Sequence, residues 1–294
     1  MTDPAIPDAE PVSRTHVSQG LTLRYLDWGG GDGAPLVVLM HGSRDHARSW
    51  DWTARALRRE GWRVVAPDLR GHGDSDWSPD GAYLSSYHLL DLADLIDALG
   101  AKTLAIVAHS FGGNISARYA ATFPERVNRL VLVDGIGPSP EVYEHWDRIG
   151  SPARTRDWVE KRRATAAKPA PRFATVEAPM ARMAAANPHL SPEQAAHLGR
   201  HSLRQFPDGW GWKTDPQVSQ FPPEDFSAET SAVWDAIACP TLLFWGTACT
   251  TTNPETDGRR AHFKDHRTVV YEGAGHWLHH ERFDDFMAEL RNFL

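Results

Sequence analysis

Short apolar runs alternate with helix-like stretches along most of this chain, and that alternation limits its possible folds more than any other feature. The run PLVVLMH at 35–41 is continuously apolar, as is typical of a strand buried on both faces. The run TLAIVA at 103–108 precedes a helical pattern and then a further apolar run, RLVLVD, at 129–134. Strands separated by helices are typical of parallel βαβ units. The sequence therefore predicts an α/β fold built on a largely parallel sheet.

The alternation stops at residues 138–237, a segment rich in Pro, Ala and Trp. Because this segment has helical periodicity and no predicted strand, we expect a helical cap inserted into the sheet domain. Residues 15–137 and 238–294 form the predicted core domain, since strand-like runs resume at PTLLFWG. Residues 1–14 are predicted to be a flexible tail. At 294 residues, the chain is long enough for one large domain with an insertion or for two domains.

Charge and cysteine content exclude several classes of protein. A net charge of -7 and the lack of a long basic run argue against nucleic acid as a partner. No stretch approaches the roughly 20 apolar residues that a membrane span requires, and the N-terminus lacks the basic and apolar regions of a signal peptide. Cys239 and Cys249 are too few for a disulfide framework. We therefore expect a cytoplasmic protein that acts on a small molecule, free of membrane, and the sequence does not indicate its oligomeric state.

The segment AHSFGG at 108–113 lies directly between a buried strand and a helix. A serine at such a junction occupies a tight turn that projects its hydroxyl, and the small residues around it let the backbone pack closely. This pattern predicts that Ser110 is a nucleophile. The alternative is that Ser110 only caps the helix that begins at Phe111.

Four segments resemble the landmarks of the α/β-hydrolase fold family, in the same order. They are MHGS at 40–43, PDLRGHGDS at 67–75, AHSFGG at 108–113 and GAGHWLHHE at 273–281. Ala108 stands where the usual G-x-S-x-G pattern has its first glycine, which is a small departure. The resemblance implies the serine-nucleophile branch of the family, with an eight-stranded, mostly parallel sheet. It also implies an active site at the carboxyl ends of the central strands, beneath the cap.

His276 lies in the turn after the last predicted strand, where the family places its catalytic base. A neutral imidazole there can take the proton of Ser110 during attack and return it to the leaving group. His279 and His280 follow one turn later and are expected to cap or to pack. Because no second cluster completes a set of metal ligands, we expect no metal and no cofactor.

The third member of the predicted triad departs from the commonest pattern of the family. Many members carry an aspartate three residues beyond the glycine that ends the strand PTLLFWG, and here that position is Cys249. Asp134 ends the strand next to the one that delivers Ser110, and some subfamilies take their acid from this strand. We therefore expect Asp134 to orient His276. The alternative is a structural Asp134, with Glu255 or Asp257 as the acid.

The resemblance further implies that the backbone N–H groups of Ser43 and Phe111 bind the oxyanion formed during acyl transfer. His41 is interpreted mainly as a structural hydrogen-bonding group, as are Asp68 and His72 in the next loop. A predicted substrate-binding set nevertheless includes His41 together with three tryptophans, Trp210, Trp212 and Trp277.

These features together predict a serine hydrolase that cleaves a carboxylic ester or lactone through an acyl-enzyme. The tryptophans of the cap favour a mostly apolar small molecule. A serine nucleophile excludes the usual mechanism of the dehalogenases and epoxide hydrolases of similar fold, which attack through an aspartate. A cofactor-independent lyase or oxygenase and a slow-turnover receptor remain as alternatives. Cleavage of amides, thioesters or carbon–carbon bonds also remains open.

Overall fold

The computed structural model describes residues 10–225 and 232–294, and an eight-stranded sheet lies at its centre. The spatial order of the strands is β1-β2-β4-β3-β5-β6-β9-β10. Two further strands, β7 and β8, lie in the segment between β6 and β9. The strands of the large sheet are β1 (Val12–Ser18), β2 (Leu21–Gly29), β3 (Leu36–Met40), β4 (Arg63–Pro67), β5 (Leu104–His109), β6 (Val127–Val133), β9 (Thr241–Gly246) and β10 (His266–Tyr271).

The sheet is parallel except at one edge. There β1 pairs antiparallel with β2, and β2 pairs antiparallel with β4. All the pairs from β4 through β3, β5, β6 and β9 to β10 are parallel. Every residue of β3 and of β5 is buried, as their continuous apolar sequences require. The predicted α/β fold with a mostly parallel eight-stranded sheet is confirmed.

Helices cover both faces of the sheet, and successive residues of one strand contribute to opposite cores. Val38 and Met40 pack with the side of α2 and α3, whereas Val37 and Leu39 pack with α1 and α9. Because successive side chains of a strand point to opposite faces, one apolar run serves both layers. The helices of the core are α1 (Asp51–Arg59), α2 (Ser85–Ala98), α3 (Phe111–Thr122), α8 (Leu278–Glu281) and α9 (Phe283–Phe293).

In its described residues, the inserted segment contains four α-helices and also a hairpin, which the sequence analysis did not predict. In the hairpin, β7 pairs antiparallel with β8 around a two-residue loop between Phe206 and Gly209. The Pro-Asp-Gly sequence at 207–209 is a turn signal that the helical periodicity of the flanking segments concealed. The elements are α4 (Pro140–Ile149), α5 (Ser151–Ala166), α6 (Glu177–Ala186), α7 (Pro192–His201), β7 (Leu203–Phe206) and β8 (Gly209–Trp212).

The predicted flexible tail at 1–14 was too long. Val12 already pairs with Asp27, so residues 12–14 belong to the sheet, while residues 1–9 lie outside the described part. The edge of an antiparallel pair is held by backbone hydrogen bonds and tolerates exposed polar side chains, so the polar sequence of this segment does not prevent it from forming a strand. Within residues 10–225 and 232–294, no helix is long and apolar enough to cross a membrane.

Candidate active site

Ser110 occupies the sharp turn between β5 and α3. Its φ of 52° and ψ of -122° lie outside the regions that L-residues favour, at a cost of about 1–3 kcal/mol. The turn is tight because two glycines follow: a Cβ on Gly112 would lie 2.4 Å from the carbonyl oxygen of His41, and a Cβ on Gly113 would lie 2.5 Å from that of Gly135. The Ser110 N–H donates to the Val133 carbonyl at 3.0 Å. The strained turn thus directs the Ser110 side chain into a cavity above the sheet.

His276 and Asp134 form a hydrogen-bonded pair beside this turn. The distance from His276 Nδ1 to Asp134 Oδ2 is 2.5 Å. Asp134 directly follows β6, whose Val133 pairs with His109 of β5, so the neighbouring strands deliver Ser110 and Asp134 to the same edge of the sheet. His276 comes from the loop between β10 and α8. Both Ser110 and His276 line the cavity, although no hydrogen bond joins these two described side chains.

The Asp134 carboxylate has a second partner that the sequence analysis missed. The Thr251 hydroxyl donates to Asp134 Oδ1 at 2.6 Å, and the Trp245 indole donates to the Thr251 carbonyl at 3.3 Å. Burial favours the neutral acid, but the hydrogen bond and charge of His276, followed by the Thr251 hydrogen bond, hold the pKa of Asp134 below its ordinary value. The carboxylate is therefore ionised at neutral pH. No sequence pattern links Thr251 to Asp134, since the two residues lie in separate loops, after β9 and after β6, that meet only in the folded protein.

The alternative acids are engaged elsewhere. Glu255 pairs with Arg260, and Asp257 accepts from Thr252 at 2.6 Å and pairs with Arg259. Neither carboxylate is hydrogen-bonded to His276 in the described structure. The geometry therefore supports Asp134 over both of them as the residue that orients the imidazole.

Cys249 lies next to the same pair. One ligand atom of each of Cys249, Asp134 and His276 lies within 4.8 Å of the other two. Burial and then the negative charge of Asp134 raise the pKa of the Cys249 thiol. The thiol is therefore protonated at neutral pH, which argues against a role as a nucleophile.

The two predicted oxyanion donors border the cavity together with Ser110. Ser43 follows β3, and Phe111 is the first residue of α3, where the positive end of the helix dipole lies. Within the described part of the chain, no hydrogen bond uses the backbone N–H of either residue. The loop containing Ser43 is close to the nucleophile, since a Cβ on Gly42 would lie 2.9 Å from the Ser110 Cβ. Both N–H groups are therefore free to bind a substrate oxygen.

The cavity has a volume of about 810 Å³, and most of its lining surface is apolar, although polar and charged side chains also border it. Its roof consists of α4, α5 and the chain at 219–223. The aromatic lining comes from Phe111, Phe221, Trp146 and Trp158. The sequence analysis did not assign several other lining residues to the site: Asn114, Arg154, Asp157, Lys161, Ser219, Phe221 and Thr251.

The prediction that Trp210, Trp212 and Trp277 bind substrate is corrected by the structure, because none of them lines the cavity that contains Ser110. Trp210 and Trp212 lie on β8 and do not line the cavity; the backbone of Trp210 instead pairs with Phe173. Trp277 borders a separate cavity of about 260 Å³ on the other side of His276. Trp146 and Trp158 occupy the predicted place instead. Helical periodicity cannot distinguish these cases, because it shows which residues share a face but not what that face covers.

The inclusion of His41 in the substrate-binding set is also corrected: His41 does not line the cavity and acts as the structural hydrogen-bonding group that the sequence also suggested. It is fully buried, its Nδ1 lies 2.7 Å from the Gly42 carbonyl oxygen, and its Nε2 accepts from the Leu69 N–H at 3.0 Å. Asp68 accepts from the Ala47 N–H at 2.7 Å. These bonds hold together the loops that carry Ser43 and the segment GHGDS.

Comparison with known proteins agrees with this fold. A family model described as alpha/beta hydrolase fold matches residues 35–283. A serine hydrolase-like protein of Dictyostelium discoideum is 26% identical over 98% of this chain and 82% of its own length. An esterase of Mycobacterium tuberculosis is 30% identical over 90% of this chain and 84% of its own length. A thioesterase domain from the curacin biosynthetic pathway shares the fold with a TM-score of 0.81 and 23% identity, covering 97% of this chain and 100% of that domain.

Proposed function

The chain belongs to the α/β-hydrolase fold family, and we propose that it hydrolyses carboxylic esters or lactones of mostly apolar small molecules through an acyl-enzyme on Ser110. Relatives named as an esterase and as a serine hydrolase-like protein support hydrolysis as the class of reaction. One observation carries the proposal: Ser110, His276 and the ionised Asp134 meet at the floor of one largely apolar cavity. Such a cavity binds an apolar acyl or alkyl group while the polar floor holds the reacting carbonyl.

In the first step, the Ser110 oxygen attacks the substrate carbonyl carbon while His276 Nε2 takes the hydroxyl proton. Asp134 accepts a hydrogen bond from the Nδ1–H group of His276, which fixes the imidazole tautomer and stabilises the imidazolium. The negative charge that develops on the carbonyl oxygen is bound by the N–H groups of Ser43 and Phe111. The contact between Ser110 and His276 forms with substrate, since catalytic hydrogen bonds are often long in the free enzyme.

The tetrahedral intermediate then collapses. The bond from carbon to the leaving oxygen breaks, and His276 returns its proton to that oxygen, which releases an alcohol and leaves an ester on Ser110. Water, deprotonated by His276, attacks the acyl carbon in the same way. The carboxylic acid leaves, and the proton returns to the Ser110 oxygen.

A panel of p-nitrophenyl esters and lactones tests this proposal, with Ser110→Ala as the control. We expect turnover to favour apolar acyl groups and Ser110→Ala to keep only the roughly 10³ to 10⁴-fold acceleration over water that binding and an oxyanion hole supply. A fluorophosphonate probe should label Ser110 at pH 8. A folded protein that neither hydrolyses the panel nor reacts with the probe would contradict the proposal and favour the alternatives, a slow-turnover receptor or a cofactor-independent lyase or oxygenase.

A further inference from the structure

Cys249, Asp134 and His276 present three different metal-binding groups to one small volume. One sulfur, one carboxylate oxygen and one imidazole nitrogen all lie within 4.8 Å of one another. Ligands of a tetrahedral Zn²⁺ at bond lengths of 2.0–2.3 Å are separated from each other by about 3.5 Å. Small side-chain movements therefore suffice to bring all three groups onto one ion.

The same group borders two cavities. Cys249 and His276 both line the smaller cavity of about 260 Å³, together with Trp277 and Glu281. His276 also lines the larger cavity with Ser110, but Cys249 does not. An ion therefore has a route to Cys249 that avoids the proposed substrate site. The smaller cavity also leaves room for a water molecule as a fourth ligand.

The carboxylate is already positioned as a ligand. Thr251 holds Asp134 Oδ1 at 2.6 Å, which leaves Oδ2 directed at the imidazole. His109 Nε2 also lies 2.9 Å from the His276 backbone carbonyl oxygen and holds the loop in place. Hydrogen bonds of this kind orient ligands and strengthen metal binding.

We propose that Cys249, Asp134 and His276 Nδ1 form an inhibitory site for a thiophilic divalent cation, with Zn²⁺ as the reference ion. Binding releases the thiol proton and the Nδ1 proton to solvent, and the sulfur and the nitrogen each donate an electron pair to the metal. The Nδ1–H bond to Asp134 is lost, so His276 can no longer act as the base. Mg²⁺ prefers oxygen ligands in octahedral geometry and does not fit this set.

Zinc titrations of turnover test the site, and this part of the test depends on the proposed hydrolase activity. Since the ion enters through the smaller cavity, Zn²⁺ should lower kcat and leave KM unchanged, whereas Mg²⁺ should have no effect. Cys249→Ser and Cys249→Ala should each raise the half-inhibitory concentration by at least about tenfold, relative to the metal-free rate of the same variant. Cys239→Ser, which removes the other thiol, should remain as sensitive as the unaltered protein. Equal sensitivity of the Cys249 variants, or an effect on KM alone, would overturn the proposal.

Cobalt absorption tests the site without any substrate. A thiolate bound to Co²⁺ gives a charge-transfer band in the near ultraviolet, which we expect for the unaltered protein and for Ser110→Ala, and which both Cys249 variants should lose. A band in an inactive protein would support the metal site while rejecting the hydrolase. Turnover of the ester panel without a cobalt band would support the hydrolase and reject the metal site. A band that persists without Cys249 also rejects the site.

Discussion

At the scale of single residues, the role proposed for Asp134 rests on its contact with His276 at 2.5 Å. Asp134→Asn should keep the fold but lower kcat by up to roughly 10⁴-fold, because the amide N–H₂ can face Nδ1 and stabilise the wrong imidazole tautomer. Steady-state kinetics on the best ester of the panel would measure the loss, and circular dichroism would verify folding.

Glu255→Gln is the matched control for this change. Glu255 follows β9, the strand after which most family members carry their catalytic acid, but its carboxylate pairs with Arg260. We expect its turnover to match that of the unaltered protein. Near-normal kcat in Asp134→Asn, or a large loss in Glu255→Gln, would contradict the assignment and return Asp134 to a structural role.

Thr251 offers a second test, because its hydroxyl holds the other oxygen of the Asp134 carboxylate. Thr251→Val keeps the side-chain shape but leaves a buried, charged oxygen without its donor, so the free energy of unfolding should fall by about 1–3 kcal/mol. Loss of the bond should also raise the pKa of Asp134, which the Thr251 hydroxyl now helps to lower. Stability supplied by this lowered pKa is present at neutral pH and is lost as the pH falls, so the two proteins should converge in acid.

Thr251→Ser, which keeps a hydroxyl, is the control for this prediction. Urea unfolding at pH 7 and at pH 3 would compare the three proteins, because the stability supplied by the lowered pKa of Asp134 is lost below the ordinary pKa of an aspartate, about 3.9. Equal free energies of unfolding for Thr251→Val and Thr251→Ser at both pH values would show that the Thr251 hydroxyl does not stabilise the Asp134 carboxylate.

At the scale of secondary-structure elements, helix α5 carries the aromatic lining of the cavity roof through Trp158. Trp158→Ala should raise KM for esters with long apolar acyl chains by about tenfold, because each buried methylene group contributes about 0.8 kcal/mol. Short acyl chains should be affected less. The ratio of kcat/KM between long-chain and short-chain esters is the quantity to measure.

Trp210 on β8 provides the comparison, since it lies outside the cavity. Trp210→Ala should disturb the hairpin and its pairing with Phe173 but leave the chain-length ratio unchanged. The proposed roof would be wrong if Trp210→Ala altered the ratio more than Trp158→Ala.

At the scale of the whole molecule, the most unusual feature is a large set of buried histidines. Burial lowers the pKa of His46 and His280 to about 3 and that of His72 to about 4. The same cause holds the pKa values of four further histidines well below their ordinary value: His41, His88, His109 and His279. Below about pH 6.5 the unfolded chain binds protons that the folded chain does not, so stability should fall as the pH falls.

Two buried carboxyl groups act in the opposite direction. Burial raises the pKa of Asp45 to about 7 and that of Asp51 to about 6. As the pH falls, these two groups therefore bind protons in the folded protein at a higher pH than in the unfolded chain. The histidines are more numerous, and each unmatched proton contributes about 1.4 kcal/mol per pH unit. We therefore expect a net loss of stability, with Tm decreasing steadily from pH 6.5 to pH 5.

His279→Phe should reduce that pH dependence by one proton, since the ring stacks on Trp50 at a centroid distance of 4.7 Å and an aromatic replacement keeps this packing. Thermal unfolding followed at half-unit steps of pH would measure both slopes. A Tm independent of pH over this range, or an unchanged slope in His279→Phe, would show that the buried histidines do not control acid stability.

The sequence by itself determined the sheet, the fold family and the candidate nucleophile turn, because these depend on residues that are adjacent in the chain. Continuous apolar runs predict strands buried on both faces, and a serine followed by two glycines predicts the turn after β5. The position of Asp134 could also be predicted, since parallel neighbouring strands end at the same edge of a sheet.

Only the tertiary structure decided what each cap residue covers and which partners complete the site. Thr251 reaches Asp134 across 117 positions of the chain, and no local pattern indicates that bond. Trp158 and Trp210 both belong to Trp-containing segments, yet only Trp158 lines the cavity. The physical reason is that periodicity identifies a shared face, whereas the packing of distant elements determines whether that face meets the core, the solvent or the cavity.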